Sequence, residues 1–358
     1  MKAPPGSLVV TRGIARFVEA SSSTFLKGLL GGPYTTARTL GGVESMESSD
    51  VIDETSAAAR ARRRRHRGIL CFEDHVERIA AGAAELRRGS KGASTSTDWV
   101  REAMLESARI GCDALDNGNG GGGSTRVSTA GVIGAATPTT TAGAPDALKL
   151  TWTLPPPPEE DGDDCGAPSS SWSDLLHLHI TPMPPRRVPP IVVIAPAASA
   201  VRSNPLVKDT AWISERASLE ELMQKTSSTP GGAEEVLLID DGGAILEGTQ
   251  TNFFALTANG IIETAGDGVL EGTVRRLVLE VCEAEGIAYE LRAPLLREHT
   301  SWQGAFIGST SRLAMSINSI DDRSTGAVHT FEGGVHPTIE RIERLVKERA
   351  ALMCTPII

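Results

Sequence analysis

The spacing of apolar residues along the chain changes with position, and the changes mark its elements. Over 75–86, Val76, Ile79, Ala80 and Ala83 fall at i, i+3, i+4 and i+7, which puts them on one face of an α-helix. Asp74 is placed to cap that helix, and Glu77 three residues later completes a capping-box pattern. A shorter helix is expected over 23–30 and a longer one from Asp98 to about Leu115. Four stretches, 126–133, 148–154, 175–181 and 191–195, are short, β-branched or alternating, and bounded by Pro and Gly, so they read as strands.

The second half alternates strand and turn. An apolar strand over 236–239 leads into the turn Asp240-Asp241-Gly242-Gly243, and 244–247 begins the return. After Asn252 come a strand over 253–256, the turn Asn259-Gly260 and a strand over 261–264. Gly272 precedes a run in which Val274, Leu277, Val278, Val281 and Cys282 keep helical spacing until Gly286 stops it. A last amphipathic helix, 337–353, carries Ile339, Ile342, Leu345 and Val346.

Three stretches cannot fill a core and are expected as inserted loops: 41–67, which ends in the basic run Arg60 to Arg67; 117–124, rich in Gly; and 155–172, rich in Pro, Ser and acid. At 358 residues the chain is about twice the size at which one core divides. The expected fold is therefore α/β (α+β) in two domains. The first, 1–200, is a smaller α+β domain holding the insertions; the second, 201–358, is strand-rich and barrel-like with a central helix. The boundary is placed near 197–201.

A net charge of −10 argues against a surface that neutralises nucleic-acid phosphates and favours a small-molecule substrate. The five cysteines are scattered without a C-x-x-C pair, so neither a disulfide framework nor a metal site is expected. No stretch approaches the ~20 apolar residues that span a bilayer, and the first ten residues lack a secretory core. A cytoplasmic protein is expected, with an organellar transit segment as the alternative.

Three positions could carry chemistry. Gly272-Thr273-Val274 opens a helix, where unpaired N–H groups and the macrodipole favour an anion; the same letters also occur as an ordinary cap and turn. Lys208 lies among apolar residues, and partial burial near other cations would prepare it as a nucleophile. Most lysines, however, are solvated surface charges. Glu247, at the end of an expected inner strand, is either a paired buried acid or a turn carboxylate at a strand edge.

The order of motifs decides between these readings. The stretch 236–254 combines a strand, a D-x-x-G turn and Glu247 to Phe254 in an E-x-x-x-x-N-x-F pattern, and it resembles the signature of fold-type IV pyridoxal-phosphate enzymes. The stretch 267–277 resembles that family's L-P-G-x-x-R phosphate loop, and Gly308-Ser309-Thr310 its G-T-A/S turn. Likewise 72–79 resembles its H-x-x-R-L helix, and 32–38 its N-terminal G-x-Y/F-x-T-x-R strand. Together they resemble the class IV aminotransferases, related to the D-amino-acid and branched-chain enzymes and to aminodeoxychorismate lyase.

The resemblance implies a pyridoxal 5'-phosphate enzyme that moves an amino group from an amino acid to a 2-oxo acid, as a homodimer and without a metal. It makes Lys208 the catalytic lysine that holds the cofactor as a Schiff base, and Glu247 the partner of the pyridine nitrogen. The phosphate clamp is implied to be Arg78, Gly272, Thr273 and Val274 with the Ser309-Thr310 turn. Tyr34 is implied on the substrate side, and His75 as a packing residue. A lyase that releases pyruvate on the same scaffold and a non-catalytic descendant are the alternatives. Glu271, where the family has proline, and Trp212, four residues after the lysine, depart from the pattern.

Other signals are discounted. Gly118 to Gly123 fits G-x-G-x-x-G by letter but is flanked by no strand or helix. The basic run is read as solvated loop, and His177 and His179 as structural.

Overall fold

A computed structural model describes residues 7–29, 32–41, 67–86, 97–118, 147–156, 175–184, 191–196, 198, 200–225 and 233–357. The bodies of the three expected insertions, the basic run as far as His66 and the strand expected over 126–133 lie outside these residues. The chain forms two compact units. One comprises Met1–Pro184, Asp209–Ala211 and Met353–Ile358, the other Pro185–Lys208 and Trp212–Leu352.

The first unit is an antiparallel sheet with helices. Its strands are β1 (Leu8–Thr11), β2 (Ile14–Phe17), β3 (Tyr34–Gly41), β4 (Arg67–Leu70), β5 (Leu148–Thr153), β6 (His177–Pro182) and β17 (Cys354–Pro356), in the order β17-β4-β3-β5-β6-β1-β2. Its helices are α1 (Ser22–Lys27), α2 (Phe72–Leu86) and α3 (Asp98–Gly118). The pattern reading missed the β1–β2 hairpin. Its two central residues, Arg12 and Gly13, both take positive φ (49° and 69°), the turn whose twist matches paired strands.

Helical spacing carries over directly into the core. Val76, Ile79 and Ala83 of α2 and Val100, Met104, Ala108 and Leu115 of α3 are buried with Leu148, Leu150 and Trp152 of β5. Trp152 satisfies its indole N–H at Ser107 Oγ, 3.0 Å away. Helix α1 starts one residue earlier and stops three earlier than expected. Ser21 Oγ accepts from the Thr24 N–H at 3.1 Å, and the chain leaves the helix at Gly28.

Two sequence expectations are overturned in this unit. Asp74 does not cap α2, because the helix already begins at Phe72; Cys71, at φ 46°, turns the chain straight from β4 into it. Arg67 is not part of a solvated loop. It opens β4, a strand paired on both sides, and is 4% exposed with its Nη1 3.6 Å from Asp116 Oδ1. Burial there is tolerable because the opposite charge is buried with it.

The second unit contains β7 (Val192–Ala195), β8 (Glu235–Ile239), β9 (Ile245–Gly248), β10 (Asn252–Leu256), β11 (Ile262–Glu263) and β12 (Tyr289–Glu290). It also contains β13 (Gly304–Ser309), β14 (Leu313–Ile317), β15 (Ser319–Asp322) and β16 (Ala327–Thr330). The sheet runs β12-β11-β10-β9-β8-β7-β15-β16, with β13 branching from β10 and carrying β14. The helices are α4 (Ala211–Glu215, whose first residue belongs to the first unit), α5 (Ala217–Lys225), α6 (Thr273–Ala284) and α7 (Pro337–Leu352).

Strand β10 is apolar from Phe253 to Leu256 because both its faces are covered. Phe253 packs against Trp302 on one side, and Phe254 stacks on Phe306 with ring centres 4.5 Å apart on the other. Helix α6 buries Val274, Leu277, Val278, Val281 and Cys282, and packs on β13, β14 and α7. Each large side chain so covered contributes roughly 1.5–3 kcal/mol. The expected turns form as read: Gly243 and Gly260 take φ 80° and 78°, and Asp240 Oδ1 accepts the Gly242 and Ala244 N–H groups.

Candidate active site

Three strands and one helix terminus of the second unit meet at a row of three residues. Glu247 on β9 faces Asn252 on β10, and Asn252 faces Gly308 on β13. The first two clamp a single residue ahead of α6. The Leu270 N–H donates to Glu247 Oε2 at 3.2 Å, and the Leu270 carbonyl accepts from Asn252 Nδ2 at 2.9 Å. Sheet register therefore fixes where the helix starts.

That start is open to an anion. Gly272 is the N-cap, in extended conformation (φ −73°, ψ 139°), and offers no side chain to the first-turn N–H groups. A Cβ at Gly272 would stand 2.2 Å from Asn252 Oδ1, so only glycine fits. Thr273 is 4% exposed, and its Oγ1 has no hydrogen-bond partner among the described residues. Val274 is buried, and a Cβ at Gly308 would lie 3.6 Å from Val274 Cγ1, so the end of β13 runs against the same first turn. Ser309 and Thr310 follow, half-buried, and Ser309 Oγ accepts the Arg312 N–H at 3.3 Å.

The lysine segment reaches the acid through an arginine that sequence reasoning missed. Arg202 donates from Nη1 to Glu247 Oε1 at 3.2 Å and from Nη2 to the Val207 carbonyl at 2.8 Å. Its guanidinium lies 5.0 Å from the centre of the Trp212 ring, whose N–H donates to the Thr249 carbonyl at 2.9 Å. Lys208 is half-buried. Burial pushes the Glu247 carboxyl up to about 7, while Arg202, the Leu270 N–H and the Lys208 charge pull the other way. Nothing local to Arg202 sets it apart from other arginines; only its partner 45 residues away does.

The two departures from the motif resolve in the structure. Glu271 is exposed, beside the buried Arg275, whose Nη2 donates to the Ala265 carbonyl at 2.8 Å. Burial lowers the pKa of Arg275, and Glu271 and then Glu247 oppose the shift. Trp212 is 7% exposed and serves as a prop for Arg202 and the 249 peptide.

The first unit brings together the other expected residues. Tyr34 is buried on β3, and Thr35 Oγ1 meets His75 Nδ1 at 2.7 Å and accepts from Arg78 Nη1 at 3.5 Å. Burial lowers the pKa of Arg78, with Asp74 and Tyr34 opposing. His179 stacks on Phe25, and burial takes it down to about 4. Among the described residues no group of His, Cys, Asp and Glu is placed to hold a metal, and no helix is long and apolar enough to cross a membrane.

Residues 60–320 match the family model of the class IV aminotransferases, so the chain belongs to that family, whose members depend on pyridoxal phosphate. It is 32% identical over 110 residues to the D-alanine aminotransferase of Bacillus licheniformis, across 30% of this chain and 38% of that relative. The match thus spans less than half of that relative's length. The fold resembles the branched-chain aminotransferase of Thermoproteus uzoniensis, solved with norvaline (TM-score 0.60, 16% identity, 100% of each chain). It also resembles the branched-chain amino acid aminotransferase of Thermobaculum terrenum in its PLP form (TM-score 0.59, 14% identity, 98% of each chain).

Proposed function

We propose that this chain is an aminotransferase that uses pyridoxal phosphate to move an amino group from an amino acid to a 2-oxo acid. The observation that carries the reading is the Leu270 clamp. It ties the buried acid Glu247, on which the Lys208 charge acts, to the open end of α6, so three groups of the right chemistry share one neighbourhood.

The residues present fit the cofactor. Thr273 Oγ1, an orphaned buried hydroxyl, and the N–H groups of Thr273 and Val274 would hold the phosphate, with the Ser309-Thr310 turn beside them. Glu247 would hold a proton shared with the ring nitrogen, for which a carboxyl poised near neutrality is suited. Lys208 Nζ would bind the aldehyde end and afterwards carry a proton to and from the substrate's α-carbon. The cofactor, when bound, supplies an electron-withdrawing ring that eases loss of that proton. Arg202 keeps Glu247 and the lysine segment in fixed relation. Homodimeric assembly and a cytoplasmic setting belong to the same proposal.

Incubating the purified chain with pyridoxal phosphate and reducing with borohydride should leave the cofactor on the peptide that contains Lys208. A Lys208→Ala variant should trap none. D-alanine and the branched-chain amino acids are the first donors to try, since the relatives are named for them. Failure to trap any cofactor on the wild-type chain would remove the proposal, and pyruvate release without an acceptor would turn it toward a lyase.

A further inference from the structure

The structure assigns Glu235 a positioning role: its buried carboxylate organises the 249–251 turn and thereby holds Glu247 and Asn252 in the register that clamps Leu270. Glu235 is 0% exposed, and a carboxylate so placed is costly unless its oxygens are satisfied. Both are. Oε1 accepts from the N–H groups of Val236 and Thr249, each at 3.0 Å, and from Thr249 Oγ1. Oε2 accepts from the Gln250 N–H at 3.2 Å and from Thr251 Oγ1 at 3.0 Å. All but the first of these donors belong to the turn that joins β9 to β10.

The fit is close on every side. A Cβ at Gly248 would lie 2.4 Å from Thr251 Oγ1 and 2.5 Å from Glu235 Cγ, so the turn can wrap the carboxylate only with glycine there. The Gly248 N–H donates to the Thr251 carbonyl at 2.7 Å, which closes the turn, and the next residue, Asn252, falls opposite Glu247. Trp212 holds the outer side of the same turn through the Thr249 carbonyl. A neutral amide at 235 would present N–H to a set of N–H and O–H donors and break the arrangement without changing its volume. The hydrogen bonds of Glu235 go to its own strand and to the 249–251 turn, so it acts through Glu247 and Asn252.

The consequence for pyridoxal phosphate rests on the proposed function; the consequence for the turn does not. The test uses the full chain as wild type, Glu235→Gln, Thr251→Val and, as control, Val236→Ala. The Val236 side chain packs in a cluster with Ile194 and Ala233, and its backbone carbonyl, which also accepts the Thr249 N–H at 3.0 Å, is kept in the alanine variant. In Glu235→Gln, exchange of the Thr249 and Gln250 amides is expected to speed up at least tenfold, and the Kd for pyridoxal phosphate to rise at least tenfold. Thr251→Val, which removes a single hydroxyl and keeps the assignment testable if Glu235→Gln does not fold, should raise both about threefold. Val236→Ala should leave both within twofold at an equal loss of thermal midpoint. Unchanged turn exchange in the two turn variants would overturn the assignment, as would an equal loss of cofactor affinity in Val236→Ala. A wild-type chain that binds no pyridoxal phosphate would instead overturn the proposed function, and amide exchange would still decide the role of Glu235.

Discussion

Arg202 and Glu247 form an ion pair at 3.2 Å with side chains only 6% and 5% exposed, and the same guanidinium donates to the carbonyl of Val207, the residue before Lys208. One cation thus spans the acid and the backbone that carries the lysine. Two charges this deeply buried gain little net stability over an apolar pair, but removing one strands the other. The pair is better understood as a spacer than as a stabiliser.

Replacing Arg202 by Met should therefore destabilise the chain by about 3–5 kcal/mol at pH 8, where Glu247 is charged, and by less at pH 5, below its pKa of about 7, where it is neutral. Urea unfolding at two pH values checks this. Cofactor trapping at Lys208 should fall as well, because Val207 loses its tether.

Glu247 makes a signed prediction about pH. Its folded pKa is raised to about 7, chiefly by burial, so its contribution to stability is fully present below the unfolded value near 4.5 and is lost as pH rises through about 7. The cofactor-free chain should lose a few kcal/mol across that window relative to Glu247→Gln, which stays neutral throughout. Denaturant titrations of both chains at pH 5 and pH 8 measure the difference. A gap that is the same at the two pH values would show that the acid titrates normally.

Thr273→Val should separate binding from stability. The hydroxyl is buried without a partner among the described residues, so its loss should leave the thermal midpoint unchanged or raise it, by up to about 1–3 kcal/mol in stability. Affinity for pyridoxal phosphate should nevertheless fall several-fold, as read by absorbance titration. Lower stability together with unchanged affinity would mean that the hydroxyl serves the fold.

Gly272→Ala should damage both. The new methyl would be forced into Asn252 Oδ1 and must shift either the Leu270 clamp or the first turn of α6, at about 1–3 kcal/mol. Calorimetry with and without pyridoxal phosphate should show a lower midpoint and a smaller cofactor-induced rise.

The sequence by itself determined the elements whose signal is local. Periodicity marked α2, α6 and α7, turn residues marked the β8–β9 and β10–β11 connections, and motif order singled out Lys208, Glu247 and Gly272. Only the tertiary structure chose Arg202, Glu235 and the buried Arg67–Asp116 pair, and it moved the start of α2 ahead of Asp74. It also supplied β13 to β16, short strands with weak patterns of their own. Spacing between neighbours reports which face of an element is apolar. The worth of a buried charge depends instead on a partner brought in from far along the chain: Arg202 and Glu247 are 45 positions apart, and no local pattern shows that they meet.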